Sequence, residues 1–145
     1  MSQDNTTVEI IQAQELAKDI LDGKSSSFMI IDVRDVDHKG ESIVGSRNVP
    51  YFNKDKASNL LKEIVFANQS RQVKIDTVIF HCFYCTIRGP AAAKLFADTI
   101  NDAAGTSTDS ESSLLKVKYL EGGWAKWKQL YAKKPANLIV KVNKD

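Results

Sequence analysis

An α/β fold with a mostly parallel sheet is predicted by three features of this chain: short apolar runs that read as buried strands, helical patterns alternating with them, and a length that suits one core. The first helical pattern is Ala13, Leu16, Ala17, Ile20 and Leu21, whose three-and-four spacing marks one apolar face. Gly23 can end that helix in a left-handed conformation. This amphipathic helix is the expected first element. Phe28-Met29-Ile30-Ile31-Asp32-Val33 follows a serine cluster and is apolar at nearly every position, as a strand buried on both faces requires. Thr77 to His81 has the same character, and Leu115 to Leu120 a weaker form of it. Between them lie helical patterns at Leu60, Leu61, Ile64 and Val65, and from Ala91 to Ile100. Asn101 to Ser113 is rich in Ser, Thr, Asp and Gly without periodicity and is expected to be a surface loop. Asp35 to Asn48 and the stretch after Lys133 read as irregular. The expectation is one domain over residues 8–131 and a C-terminal tail over 132–145.

At 145 residues with 43% hydrophobic content, the chain has the apolar surface for a single substantial core. No apolar run approaches the ~20 residues of a membrane-spanning helix. The opening residues Met1 to Thr7 show neither a secretory signal nor an Arg-rich transit peptide, so the cytosol or nucleus is expected. A net charge of +2 with scattered Lys and Arg is too small to argue for nucleic acid, no nucleic-acid partner is expected, and the basic stretch from Lys133 to Lys144 reads as a solvated end. The two cysteines, Cys82 and Cys85, are expected to be thiols in a reducing compartment. They form a C-x-x-C, but zinc needs four ligands and no second pair exists, so no metal is expected.

The segment that carries chemistry is His81-Cys82-Phe83-Tyr84-Cys85-Thr86-Ile87-Arg88-Gly89-Pro90, where a buried strand turns into a helix. In such a turn the backbone N–H groups of residues 83 to 88 (Phe83, Tyr84, Cys85, Thr86, Ile87 and Arg88) can converge on one point, with the positive helix end behind them. That point attracts an anion. The same field favours a thiolate at Cys82, whose pKa is expected to fall from about 8.5 into the range of roughly 3.5 to 7.5. Arg88 offers a planar fork that matches two oxygens of a tetrahedral oxyanion. Pro90 suits the first turn of a helix and Gly89 a tight backbone path. An inert buried cysteine is the bland alternative for Cys82 taken alone. The His before it and the Arg-Gly-Pro after it favour a nucleophile. His81 itself reads as loop support rather than as a proton donor. Asp32 and Arg34 read as a scaffold pair, and Trp124 and Trp127 as core.

The His-Cys-x5-Arg-Gly-Pro loop resembles that of the cell-division-cycle-twenty-five phosphatases and the related eukaryotic arsenate reductases, both of the rhodanese fold. Ile30 to Asp35 is similar to the first buried strand of rhodanese-like domains. Gly45 to Pro50 is similar to their second strand and its turn, and Tyr119 to Trp127 to the closing strand, double-glycine turn and helix. The resemblance covers nearly the whole chain and implies a central, mostly parallel five-stranded sheet with helices on both faces. Sulfurtransferase rhodaneses typically have a loop one residue shorter. The seven residues from Cys82 to Arg88 therefore resemble the phosphatase and arsenate-reductase branch.

The resemblance implies a cysteine-dependent phosphatase acting on phosphate monoesters, with phosphotyrosine or phosphothreonine proteins as substrates and no cofactor. Arsenate reduction, completed by glutathione or glutaredoxin, and thiosulfate-type sulfur transfer are the alternatives. The loop interior departs from the cell-cycle phosphatases in holding no carboxylate, which leaves the general acid unassigned. Cys85 stands where related loops commonly have Ser, and its place near Cys82 makes it a candidate resolving cysteine.

Overall fold

The computed structural model describes residues 6–38, 40–84, 86–106, 115–133 and 137–142. Its elements in chain order are β1 (Val8–Ile11), α1 (Ala13–Leu21), β2 (Phe28–Asp32), β3 (Gly40–Ile43), β4 (Ser46–Asn48), α2 (Lys54–Asn68), β5 (Thr77–His81), α3 (Arg88–Thr106), β6 (Lys116–Leu120), α4 (Gly123–Tyr131) and β7 (Ile139–Val142). Five strands form one sheet in the order β1-β6-β5-β2-β4, and every pairing in it is parallel. This is the sheet that the apolar runs and the resemblance predicted. The chain crosses it in one direction through β1–α1–β2 and in the other through β4–α2–β5 and β5–α3–β6. Right-handed crossovers therefore set the helices on opposite faces.

Side-chain alternation along the central strands feeds both faces. On β5, Val78 and Phe80 enter the core under α2 and α3, while Ile79 enters the core under α1 and α4. The Phe80 ring meets Phe52 edge-on at 5.1 Å between centroids and Phe96 at 5.6 Å. On the other face Trp127 is completely buried, and its indole N–H donates to the Leu138 carbonyl at 3.0 Å. Asn53 caps α2 by accepting from the Lys56 amide. No described helix is long and apolar enough to cross a membrane.

Three expectations are corrected. Strand β1 precedes the first helix; with only four residues at a sheet edge and two of them exposed, it carries no continuous apolar signal. Residues 101–106, expected to be loop, continue α3, and the remainder of that expected loop lies outside the described residues. The irregular stretches hold strands: Asp35 to Asn48 contains β3 ahead of β4, the strand that the resemblance placed at Gly45 to Pro50, and the tail contributes β7, which pairs antiparallel with β3 from Gly40↔Val142 to Ile43↔Ile139. Leu138 is buried in the core under α1 and α4, so folded structure continues past Tyr131. This ladder joins residues about a hundred positions apart, a pairing that local periodicity cannot signal.

Candidate active site

The carboxyl ends of β2 and β5 lie side by side at the centre of the sheet, with Asp32 opposite His81 and the Val33 amide donating to the His81 carbonyl at 2.9 Å. In parallel sheets this is where ligands bind. Cys82 follows β5 directly, is only 3% exposed, and receives a hydrogen bond on Sγ from the Gly89 amide at 3.3 Å. That donor belongs to the first turn of α3, so the helix end faces the sulfur, an arrangement that favours negative charge there.

The double-glycine turn fixes the other side of the loop. Gly122 has φ +83° and Gly123 φ +57°, a left-handed path that L-residues resist, and a Cβ at Gly122 would lie 2.6 Å from Lys126 Cβ. The turn aims the first amides of α4 at the loop: Trp124 donates to the Cys82 carbonyl at 3.0 Å and Ala125 to the Phe83 carbonyl at 2.8 Å. Beyond these anchors Phe83 is half-buried and packs against the core under α1 and α4, while the side chains of Tyr84, Thr86 and Ile87 face outward. The Phe83 ring meets that of Tyr84 in a tilted contact, 4.8 Å between centroids. Cys85, the candidate resolving cysteine, lies outside the described residues.

A buried polar cluster underlies the loop. Arg34 grips Asp32 through Nε at 3.0 Å and Nη2 at 2.7 Å, with both side chains fully buried, and its guanidinium lies 4.9 Å from the centroid of the Trp124 ring. This is the scaffold pairing expected of Asp32 and Arg34. His38 and His81 approach the same carboxylate at 3.7 and 3.8 Å. The His81 Nδ1–H donates to the Cys82 carbonyl at 3.2 Å, so His81 supports the loop. Burial pushes its imidazole below the usual value despite the nearby Asp32 charge. For Asp32, burial pushes the carboxyl up, but His81 and the Arg34 fork outweigh it and the net direction is down. Because His81 is neutral at physiological pH, Arg34 is the partner that holds Asp32 ionised there.

Arg88 begins α3, and its side chain is turned toward the segment after β2. Nη1 and Nη2 meet the two oxygens of Asp37 at 3.0 and 2.7 Å, and Nη1 lies 3.7 Å from Asp35. The Arg88 fork holds the Asp37 carboxyl well below the usual range, at about 2, so Asp37 is a carboxylate at any physiological pH. No local pattern signals this pair, because 51 positions separate its members. Asn48 was missed as well. Its side-chain amide donates to the Asp32 and Arg34 carbonyls at 2.9 and 2.8 Å, pinning the backbone where β2 leaves the sheet. Beside Arg88, a cavity of about 310 Å³ opens between the end of β2 and the first turns of α3.

Over residues 12–130 the sequence matches the rhodanese-like domain family. The chain belongs to that family. The dual specificity phosphatase ibp1 of Schizosaccharomyces pombe is 32% identical over 115 residues, covering 73% of this chain and 78% of that protein. Arsenate reductase 2.1 of Oryza sativa subsp. japonica is 32% identical over 98 residues, covering 68% of this chain and 54% of the rice protein. The solved structure of the As-Sb reductase from Leishmania major superposes with a TM-score of 0.75 at 25% identity, covering 94% of this chain and 88% of that one. Within the rhodanese-like family, this domain therefore resembles proteins named as phosphatases and proteins named as arsenate reductases alike.

Proposed function

We propose that this rhodanese-like domain is a cysteine-dependent phosphatase that hydrolyses phosphate monoesters, with phosphotyrosine or phosphothreonine proteins as its substrates. The observation that carries the reading is the placement of Cys82 Sγ at the amide of Gly89, with Arg88 in the same helical turn. The Cys82 thiolate attacks phosphorus in line, the phosphorus–ester oxygen bond breaks, and the leaving oxygen takes up a proton to become the alcohol. Water then attacks the phosphocysteine, releasing phosphate and restoring the thiolate. Arg88 enters by exchanging the Asp37 carboxylate for two oxygens of the phosphoryl group, one bidentate anion for another. Asp37 itself is ionised and is no source for the leaving-group proton. A nucleophilic thiolate suits a reducing compartment such as the cytosol or nucleus.

Arsenate reduction is the second reading, favoured by the equal identity of the rice relative. It would use the same sulfur and the same fork, with glutathione or glutaredoxin supplying the electrons. One preparation assayed in parallel with an aryl phosphate, with arsenate plus glutaredoxin, and with thiosulfate plus cyanide separates these two readings and sulfur transfer. The expected result is phosphate release abolished by Cys82→Ser, because a hydroxyl stays protonated at neutral pH. Half the wild-type rate in that variant would remove Cys82 as the nucleophile.

A further inference from the structure

The cavity beside Arg88 shares one wall with the proposed catalytic centre and has otherwise no part in the chemistry. Its lining is mainly apolar: Val33, Tyr51, Phe52, Ile87, Ala91 and Leu95, with Asp35 and Arg88 as its charged members. At about 310 Å³ it lies at the small end of ligand-binding pockets, enough for one side chain rather than for a cofactor. Two features mark it as more than a packing gap. Ile87 is 76% exposed and Tyr51 is 66% exposed, so the molecule holds large apolar groups in water at its mouth. Tyr51 also has φ +54°, the only non-glycine residue with positive φ among the described residues. A bulky residue keeps such a conformation only where its surroundings impose it, and such strain gathers at functional sites.

From these observations, and resting on the phosphatase reading, we infer that the cavity is a specificity subsite for an apolar side chain flanking the phosphorylated residue of a peptide substrate. In-line attack fixes the direction of the ester. The leaving oxygen must stand opposite Cys82 Sγ, so the phosphorylated side chain points out of the loop. The cavity's lining runs along α3 from Arg88 to Ala91 and Leu95 and does not include Cys82, so it is suited to a group other than the one attacked. A neighbouring residue of an extended peptide does reach sideways from the phosphate. Asp35 offers a carboxylate at the same wall, a charged acceptor for a backbone N–H of that peptide. A bare oxyanion such as arsenate has no atoms to place there, so the subsite favours a protein or peptide substrate.

The test compares two phosphopeptides that differ only in one flanking residue, Leu or Asn, by phosphate release from the wild type, Ala91→Phe and Tyr51→Gly. Ala91 is exposed on α3, so a phenyl ring there fills the cavity without entering the core. Gly accepts the backbone conformation of Tyr51 and removes the aromatic wall. Burial of a Leu side chain corresponds to roughly tenfold or more in affinity. The wild type is therefore expected to prefer the Leu peptide about tenfold in kcat/KM, mainly through KM. Ala91→Phe should abolish that preference and Tyr51→Gly should weaken it. The readout is a ratio within each protein, so a general loss of activity cancels. Equal rates on both peptides in the wild type, or a preference that survives Ala91→Phe, overturns the subsite alone. No phosphate release from either peptide defeats the phosphatase reading and the subsite with it.

Discussion

Two arginine–carboxylate pairs lie near the candidate site of this rhodanese-like domain, alike in chemistry and opposite in setting. Arg34 and Asp32 are both completely buried, two positions apart, and tied into a cluster with His38 and His81. Arg88 and Asp37 span 51 positions, and their side chains are 40% and 28% exposed. The distances are the same, at 2.7 Å for the shortest contact in each. Burial makes the difference. A charge held out of water has no alternative partner, so Arg34 is fixed to Asp32 and serves the scaffold. A pair in contact with water can trade one anion for another at small cost, which is what a substrate-binding arginine must do.

The largest expected effect comes from breaking the buried pair. Arg34→Ala leaves the Asp32 carboxylate uncompensated beneath the site and also removes the packing against Trp124. A loss of about 3–5 kcal/mol in unfolding free energy is expected, a large share of a small domain's stability. Denaturant melting measures it. A loss below about 1 kcal/mol would place the pair with the exposed one and dissolve the contrast.

Arg88→Lys is expected to do the reverse. A single ammonium cannot reproduce the bidentate fork, so phosphatase kcat should fall about a hundred- to a thousandfold. Stability should change by no more than about 1 kcal/mol, because the pair it disturbs is only half-buried and reached by water. Wild-type turnover in this variant would remove Arg88 from the mechanism. A large fall in melting temperature would make Arg88 a structural residue like Arg34.

The same contrast explains what could be read from the sequence. Phe28 to Val33 and Thr77 to His81 were legible as strands because burial on both faces leaves a continuous apolar run. The Cys82 loop was legible because nucleophile, fork and helix start lie within a few consecutive residues. Asp32–Arg34 was legible for the same reason, two positions apart at a strand end. Asp37 was not, since its meaning depends on β5 pairing in parallel with β2, which sets the start of α3 and Arg88 beside the segment after β2. Strands β3 and β7 were hidden in the same way: Gly40 to Ile43 shows no alternation, and its partner lies at the far end of the chain. The end of α3 was lost for another reason. Asn101 and Asp102 are polar, and nothing in their spacing distinguishes a solvated last turn from a loop.

The smallest effect belongs to Asp37→Asn, and it tests whether the exposed pair is exchangeable. Asp37 has a folded-state value of about 2, below the ~3.9 of an unfolded Asp. A carboxyl lowered on folding stabilises the protein above its unfolded value and loses that contribution as the pH falls through its folded value. The wild type should therefore exceed Asp37→Asn in stability at neutral pH, with the gap closing between about pH 4 and pH 2. Because solvent screens both partners, the gap should be no more than about 1 kcal/mol. The same small energy bounds the effect on ligand binding. With the internal carboxylate neutral, the fork is free for an external anion, and inhibition by inorganic phosphate should tighten by up to about fivefold. Acid titration of unfolding and phosphate inhibition at pH 7 measure the two arms. A stability loss of several kcal/mol would make Asp37 a second Asp32. Weaker phosphate binding would show that Asp37 holds Arg88 in its working position instead of competing for it.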